Sequence, residues 1–436
     1  MFEARRKRFM EAIGPAVAVF PASPVRNRSH DTDYEYRQDS DFHYLTGFPE
    51  PEAVAVLTSL HPEHKFVLFV RPRDKEKEIW NGRRAGAEGA MARYGADAAF
   101  TLDKLDEMLP KYIENASRLF YRLGKDREFD DRMMKYLAGI RAAIRTGVTA
   151  PGEIVDPAGV LHEMRLIKKD GDVDLMRKAC RISAEGHVAA MRACRPGMHE
   201  YELEAVIEYV FKKNGADGPG YPSIVGAGAN ATILHYTEND AVMKDGDLVL
   251  VDAGCEYAIY NGDITRTFPV NGRFNKEQRA VYELVLKAQL ASIEEVRPGA
   301  KFEAYHDRAV QVLVDGLIEL GLLEGPADQA IATESYKRLY MHRTGHWLGG
   351  DVHDVGRYKI DGASRPLEPG MILTVEPGIY IAEDDEKVPP AFRGIGVRIE
   401  DDLLVTSKGH EILTSDVPKT VTEIESLMKT GGPALP

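Results

Sequence analysis

The chain is poor in cysteine. Cys180, Cys194 and Cys255 are the only three in 436 residues, and their spacing fits neither a disulfide framework nor a thiolate metal site. So odd and sparse a set suits a reducing compartment. Long apolar runs are missing too: no stretch approaches the roughly 20 residues of a membrane-spanning helix. The basic N-terminal segment, MFEARRKRFMEAIG, is not followed by the apolar core of a secretory signal. Positive charge is in deficit, with 56 Lys and Arg against 69 Asp and Glu. The resulting formal net charge of −13 argues against nucleic acid or an anionic membrane as the main partner. These deficits lead to the expectation of a soluble cytoplasmic protein. What is present is 44% hydrophobic residues in a chain long enough for two or three globular domains.

Residues 1–150 read as an α/β domain. Helical patterns fall at 2–13, 102–116 and 130–145, and apolar strands at 16–20, 53–57 and 66–70. A polar, aromatic-rich stretch at 27–47 separates the first two strands; loops of that length are usually functional or disordered. Thr149-Ala150-Pro151-Gly152 reads as a linker, which leaves 151–436 as a second domain. There, amphipathic helical patterns at 172–194 and 200–213 precede strands, and patterns at 276–296 and 303–320 precede strands again. Gly246 to Gly254 and Gly370 to Gly378 share the same spacing from glycine to acid to glycine. We read this as an internal duplication of two helices followed by strands, an α+β domain whose halves each give acids to one site.

The acids stand at strand ends. Leu248-Val249-Leu250-Val251 stops at Asp252, and Met371-Ile372-Leu373-Thr374-Val375 stops at Glu376. A carboxylate that ends a buried strand is costly unless positive charge meets it. Asp263 opens a period-two stretch through Phe268. If the hairpin turns at Tyr257-Ala258, Asp252 and Asp263 lie opposite each other; if it turns at Asn261-Gly262, they are separated. The residues leave both open. The first is favoured, with Gly262 marking a bulge, because two facing carboxylates then share one task. In Gly394 to Glu400 the alternation puts Arg398 and Glu400 on one polar face.

Histidines complete the set. The segment MHRTGHWLGGDVHDVG holds His342, His346 and His353. His342 and His346 have the spacing of a zincin pair, but the intervening glutamate is absent and the glycines argue for a loop. One histidine alone would more often be structural. Three in a glycine-rich loop, in a chain with four strand-end acids, point to a metal site. One histidine with four carboxylates is a hard, oxygen-rich set suited to Mn²⁺, Fe²⁺, Co²⁺ or Zn²⁺. Four carboxylates exceed the needs of one divalent ion, which suggests two ions that activate a bridging water.

The order Asp252, Asp263, His346, Glu376, Glu400 resembles the dinuclear "pita-bread" metallopeptidases, the family of methionine aminopeptidase, prolidase and aminopeptidase P. The blocks that carry the resemblance are ILHYTEND, VDAGCEYAIYNGDITRTFPVNG, HWLGGDVHDVG, LTVEPGIYI and RGIGVRIEDD. Within the family the similarity is greatest to the bacterial aminopeptidase P branch, through DTDYEYRQDSDFHYLTGFPEPEAV and EIWNGRRAG in the N-terminal domain. The resemblance implies a C-terminal pita-bread domain and release of the N-terminal residue from peptides with proline second. It implies two divalent ions on the five ligands, with Asp263 and Glu400 bridging; Mn²⁺ is expected, with Zn²⁺ or Co²⁺ as alternatives. By the same resemblance His235, His353, Glu376 and Arg398 form the catalytic set, with His235 and His353 stabilising the tetrahedral intermediate and moving protons. His342, Tyr380 and Arg398 line a proline pocket. Trp80 resembles a residue that reaches a neighbouring subunit's site, so a homo-oligomer, dimer or tetramer, is implied. The competing readings are a prolidase, which takes only dipeptides, and a non-catalytic peptide-binding module on the same fold.

Overall fold

The computed structural model describes residues 1–431 and divides the chain into two compact units, Met1–Met164 and Arg165–Pro436. The first is built on a six-stranded sheet. Its strands lie in the order Ala98–Thr101, Phe66–Val70, Val54–Thr58, Val17–Pro21, Arg118–Phe120 and Glu153–Val155. The central strands are apolar on both faces because both faces are covered. Ala18, Phe20 and Leu68 pack on one side with Phe9 and Phe42, while Val17, Val19 and Phe69 pack on the other with Leu109 and Met133. The 149–152 segment leads straight into the edge strand Glu153–Val155, so the first unit runs on to Met164.

The polar 27–47 stretch is more ordered than its composition implies. It contains an exposed two-strand ribbon, Asn27–Ser29 with Thr32–Asp33, and a helix, Ser40–Thr46. Asp39 caps that helix by accepting the Phe42 N–H, and Gly47 ends it at φ 64°. Seven residues are too few for a helical period to stand out, and Phe42 and Leu45 supply the burial that holds it.

In the second unit a helix pair precedes a hairpin, twice. Asp170–Ala193 packs on Glu200–Lys213 ahead of the strands Leu248–Asp252 and Thr265–Pro269. Lys276–Ile293 packs on Ala304–Glu319 ahead of Ile372–Val375 and Asp401–Val405. The hairpins join edge to edge: Glu400 N donates to Thr265 O at 3.0 Å, and the Thr267 hydroxyl bonds both backbone groups of Arg398.

The first hairpin turns one residue later than the favoured reading. Glu256 pairs with Asn261 and Tyr257 with Tyr260, so Ala258 and Ile259 form the turn, at φ 50° and 71°. Asp252 therefore faces Thr265, and Asp263 is its diagonal neighbour on the same face. Gly262 makes no bulge. It stays in the ladder and lets the helix Asp170–Ala193 approach, since a Cβ there would lie 2.8 Å from Ser183 Oγ. Packing against that helix overrides the local turn preference of Asn261-Gly262, and Asp217 steadies the actual turn by accepting the Ala258 N–H at 2.8 Å.

A buried ion pair locks the two hairpins together. The Arg266 guanidinium, 0% exposed, donates to Asp401 Oδ1 at 2.7 Å and also to the carbonyl of Glu400. Asp401 also accepts from Gln289 at 2.7 Å, Lys419 at 2.6 Å and Thr414 at 2.8 Å. Burial works against the Asp401 carboxylate, but Arg266 and Lys419 outweigh it and hold its pKa down to about 2. The stabilisation is thus present above the ordinary carboxylate range and is lost as pH falls through about 2. Asp401→Ala would strand the Arg266 charge. It should lower the unfolding free energy by about 3–5 kcal/mol, measured by denaturant titration of chelated protein so that metal binding does not mask the change.

Candidate metal centre

Four elements bring acids to one place. Asp252 closes Leu248–Asp252 and Asp263 lies just ahead of Thr265–Pro269. In the second hairpin, the pairings Val375 with Asp401 and Gly378 with Arg398 set Glu376 opposite Glu400. His346 arrives on a segment laid along Ile372–Val375: Glu376 N donates to Thr344 O at 2.8 Å and Thr374 N to His346 O at 3.0 Å. The segment lies that close only because residue 345 is glycine. A Cβ there would sit 2.0 Å from Thr374 O.

Ligand atoms of Asp263, His346 and Glu400 all lie within 4.8 Å of one another. His346 Nε2 is 3.4 Å from Asp263 Oδ2 and 3.7 Å from Glu376 Oε1. Its Nδ1 is 3.0 Å from the Trp347 carbonyl, the partner that fixes the tautomer of a ligating imidazole and leaves Nε2 for an ion. Asp252 is reached by Arg398 Nη2 at 2.6 Å, and Thr265 Oγ1 donates to Glu400 Oε2 at 2.6 Å. Tyr221 OH stands 2.6 Å from Asp252 Oδ1 and 2.5 Å from Asp263 Oδ1. One phenolic proton cannot serve both oxygens, so this pair demands further positive charge.

The electrostatics make the same demand. Burial, then the charges of Asp263, Glu376 and Asp252, push Glu400 well above the carboxylate range. Burial raises Glu376 to about 7, against the pull of His346 and Arg398. Burial disfavours the His346 cation, yet Asp263 and Glu376 hold its pKa up at about 9. Each shift reports a surplus of negative charge in a low-dielectric site. A hard divalent cation answers it, and the donor chemistry of Asp263, His346 and Glu400, two carboxylates and an imidazole, fits one.

Around this cluster stand most of the remaining sequence candidates. The His353 ring lies edge-on to His346 at 4.3 Å between centroids, with its pKa lowered by burial and by the His346 charge. Its neighbour Asp354 is fastened by Arg165 at 2.6 Å and Lys168 at 2.9 Å. Arg398 Nη1 donates to Tyr380 OH at 3.1 Å, and Tyr380 OH bonds His342 Nε2 at 2.8 Å. His342 Nδ1 meets the Arg343 carbonyl at 2.7 Å, and burial, then Arg398, lower its pKa to about 4. His235 is exposed on its loop, close enough to push both His342 and His353 toward neutrality. Trp80 belongs to the first unit, in the helix Lys75–Asn81, and is 86% exposed.

Three contributors escaped the sequence reading. Thr265 was within reach, since it shares a face with Asp263 by period two. Tyr221 was not; nothing local marks it. Asp402, whose Oδ2 accepts the Asp263 N–H at 2.9 Å, lies in the block RGIGVRIEDD, where nothing local gave it a role.

A buried, oxygen-rich donor set with one imidazole, carried by two repeats of helix pair and hairpin, defines a metallohydrolase on a pita-bread scaffold. Residues 174–407 match metallopeptidase family M24, and residues 2–121 match the aminopeptidase P N-terminal domain. The chain is 46% identical over 429 residues to the Xaa-Pro aminopeptidase of Escherichia coli (strain K12), covering 98% of this chain and 97% of that one. The structure of Pseudomonas aeruginosa aminopeptidase PepP superposes with a TM-score of 0.97 at 53% identity, over 98% of this chain and 97% of that one. Zinc-substituted E. coli aminopeptidase P in complex with product gives 0.96 at 46% identity, over 98% of each chain. The protein belongs to metallopeptidase family M24 and is a hydrolase, with an aminopeptidase P-type N-terminal domain ahead of the pita-bread domain.

Gly345 gives a direct test of how the histidine is placed. Gly345→Ala should push the 344–348 segment off its neighbouring strand, with a stability loss of about 1–3 kcal/mol. Metal affinity should fall by at least about tenfold, since an ion holds its ligands within a few tenths of an ångström. Calorimetric metal titration beside thermal denaturation checks both effects.

Proposed function

We propose that this chain is a two-metal aminopeptidase that releases the N-terminal residue from peptides with proline in second position. One observation carries the reading: Asp263, His346 and Glu400 converge within 4.8 Å, with Glu376 3.7 Å from His346, Asp252 sharing Tyr221 with Asp263, and the linked Arg398, Tyr380 and His342 alongside, in a chain similar over its length to Xaa-Pro aminopeptidases. Asp252, Asp263, His346, Glu376 and Glu400 would hold the ions, and Mn²⁺ is the ion we assign. When bound, the ions supply a water nucleophile near neutral pH and positive charge for the scissile carbonyl.

The residues around them divide the work. Arg398 orients Asp252 through Nη2 and the Tyr380 hydroxyl through Nη1. Tyr380 in turn donates to the neutral His342, so the three form one rigid wall for the proline ring. His353, neutral by its lowered pKa, donates an N–H to the oxygen that gains charge as the carbonyl is attacked. His235 steadies the same charge from the facing loop. Glu376 takes the proton of the attacking water as well as serving as a ligand. Trp80 and its neighbour Ile79, 80% exposed, fit a contact with a second copy, and we assign a cytoplasmic homo-oligomer, dimer or tetramer. A prolidase or a non-catalytic binding module is the alternative; the intact donor set weighs against the second.

Metal content should approach two ions per chain, with chelation abolishing activity reversibly and Mn²⁺ restoring it best. Xaa-Pro-Xaa tripeptides and longer chains should be cleaved. Turnover of Xaa-Pro dipeptides alone would move the protein to the prolidases, and full activity without metal would sink the two-metal reading. His353→Ala should keep both ions and the fold while kcat drops roughly 10²- to 10⁴-fold. Stopped assays on metal-quantified protein decide this, with near-normal kcat as the contrary result.

A further inference from the structure

One fully buried carboxylate touches none of the metal donors, yet it governs a loop beside them. Glu200 opens the helix Glu200–Lys213 and is 0% exposed. All four of its side-chain hydrogen bonds come from the single segment 227–241. Oε1 accepts from Ala227 N at 2.7 Å and Asn230 Nδ2 at 3.1 Å, and Oε2 accepts from Tyr236 OH and Ala241 N, each at 2.9 Å. The Glu200 N–H closes the ring by donating to Ala241 O at 3.0 Å. Ala227 ends the strand Ile224–Ala227, the short turn Gly228–Thr232 follows, and His235 lies between the tied residues Asn230 and Tyr236.

None of these partners is a cation. A buried carboxylate met only by neutral donors adds little net stability over an apolar side chain of the same size. What it adds is geometry, because four donors converge on two oxygens and the helix N-terminus favours the charge. Asn239 fixes the far end of the loop through Ser223 O at 2.8 Å and Val225 N at 3.0 Å. The stretch that carries His235 is therefore held by Glu200.

We propose that Glu200 is a positioning residue for His235, setting the loop so that this ring faces the site shared by His342 and His353. The proposal rests on His235 acting in turnover, as assigned above. Glu200→Gln places an NH₂ against one pair of donors and so breaks up to two of the four bonds.

The test is a double-mutant cycle on the Mn²⁺-loaded full chain with an Xaa-Pro tripeptide. Glu200→Gln alone should lower kcat by roughly tenfold or more, with KM and metal content nearly unchanged. In the His235→Ala background the same change should alter kcat by less than about twofold. Tyr236→Phe, which removes one donor, should show a smaller loss that also vanishes in that background. It decides the matter if Glu200→Gln does not fold. Equal fold-losses in both backgrounds overturn the proposal while leaving the aminopeptidase reading intact, as does unchanged kcat in both single variants. A normal kcat in His235→Ala overturns the role assigned to His235 and this inference with it.

Discussion

The constraint on which the second unit depends is electrostatic. Asp252, Asp263, Glu376 and Glu400 converge where water is largely excluded, with Arg398 as the nearest permanent cation. Mutual repulsion at such distances would drive strand ends apart unless the scaffold resists. The scaffold does so by tying carboxylates to fixed donors: Tyr221 between Asp252 and Asp263, Thr265 on Glu400, Arg398 on Asp252. The Arg266–Asp401 pair then clamps the strands from behind, one residue away from Thr265 and Glu400. Residues that read individually as structural thus share the task of holding like charges together.

Much of this was legible in the sequence, because strand-end acids and period-two alternation are local signals. The alternation around Arg398 and Glu400 led to one polar face, and both side chains do reach the acid cluster. The long helices were legible for the same reason, with Glu200–Lys213 agreeing at both ends. The register of the first hairpin was not. It is set by a turn of Ala258 and Ile259 in left-handed conformation, against every local preference, because Gly262 is needed where the helix Asp170–Ala193 packs. Tyr221 was hidden for a different reason: its partners are 31 and 42 residues away, and no local pattern encodes them. Function was legible chiefly through whole blocks resembling a known family, which carry partners such as His235 that no periodicity marks.

The loop that bears His346 and His353 shows how glycine and charge divide the work of placement. Gly345 lets the chain lie against Thr374, while Asp354, held between Arg165 and Lys168, fixes the return of the loop. The two imidazoles then sit edge to face without a direct tether between them. Their relative orientation is a property of the backbone path.

The contact between Arg398 and Asp252 joins residues 146 positions apart, and Thr265 reaches Glu400 across 135. No nascent chain that ends before Glu400 has left the ribosome carries the whole donor set. An ion held by that set would be captured only after the last strands close, and would stabilise only the finished fold. Until that moment the growing polypeptide holds uncompensated acids, which favours an open, hydrated second half over premature collapse. An ion that binds this set would therefore couple completion of the fold to metal supply.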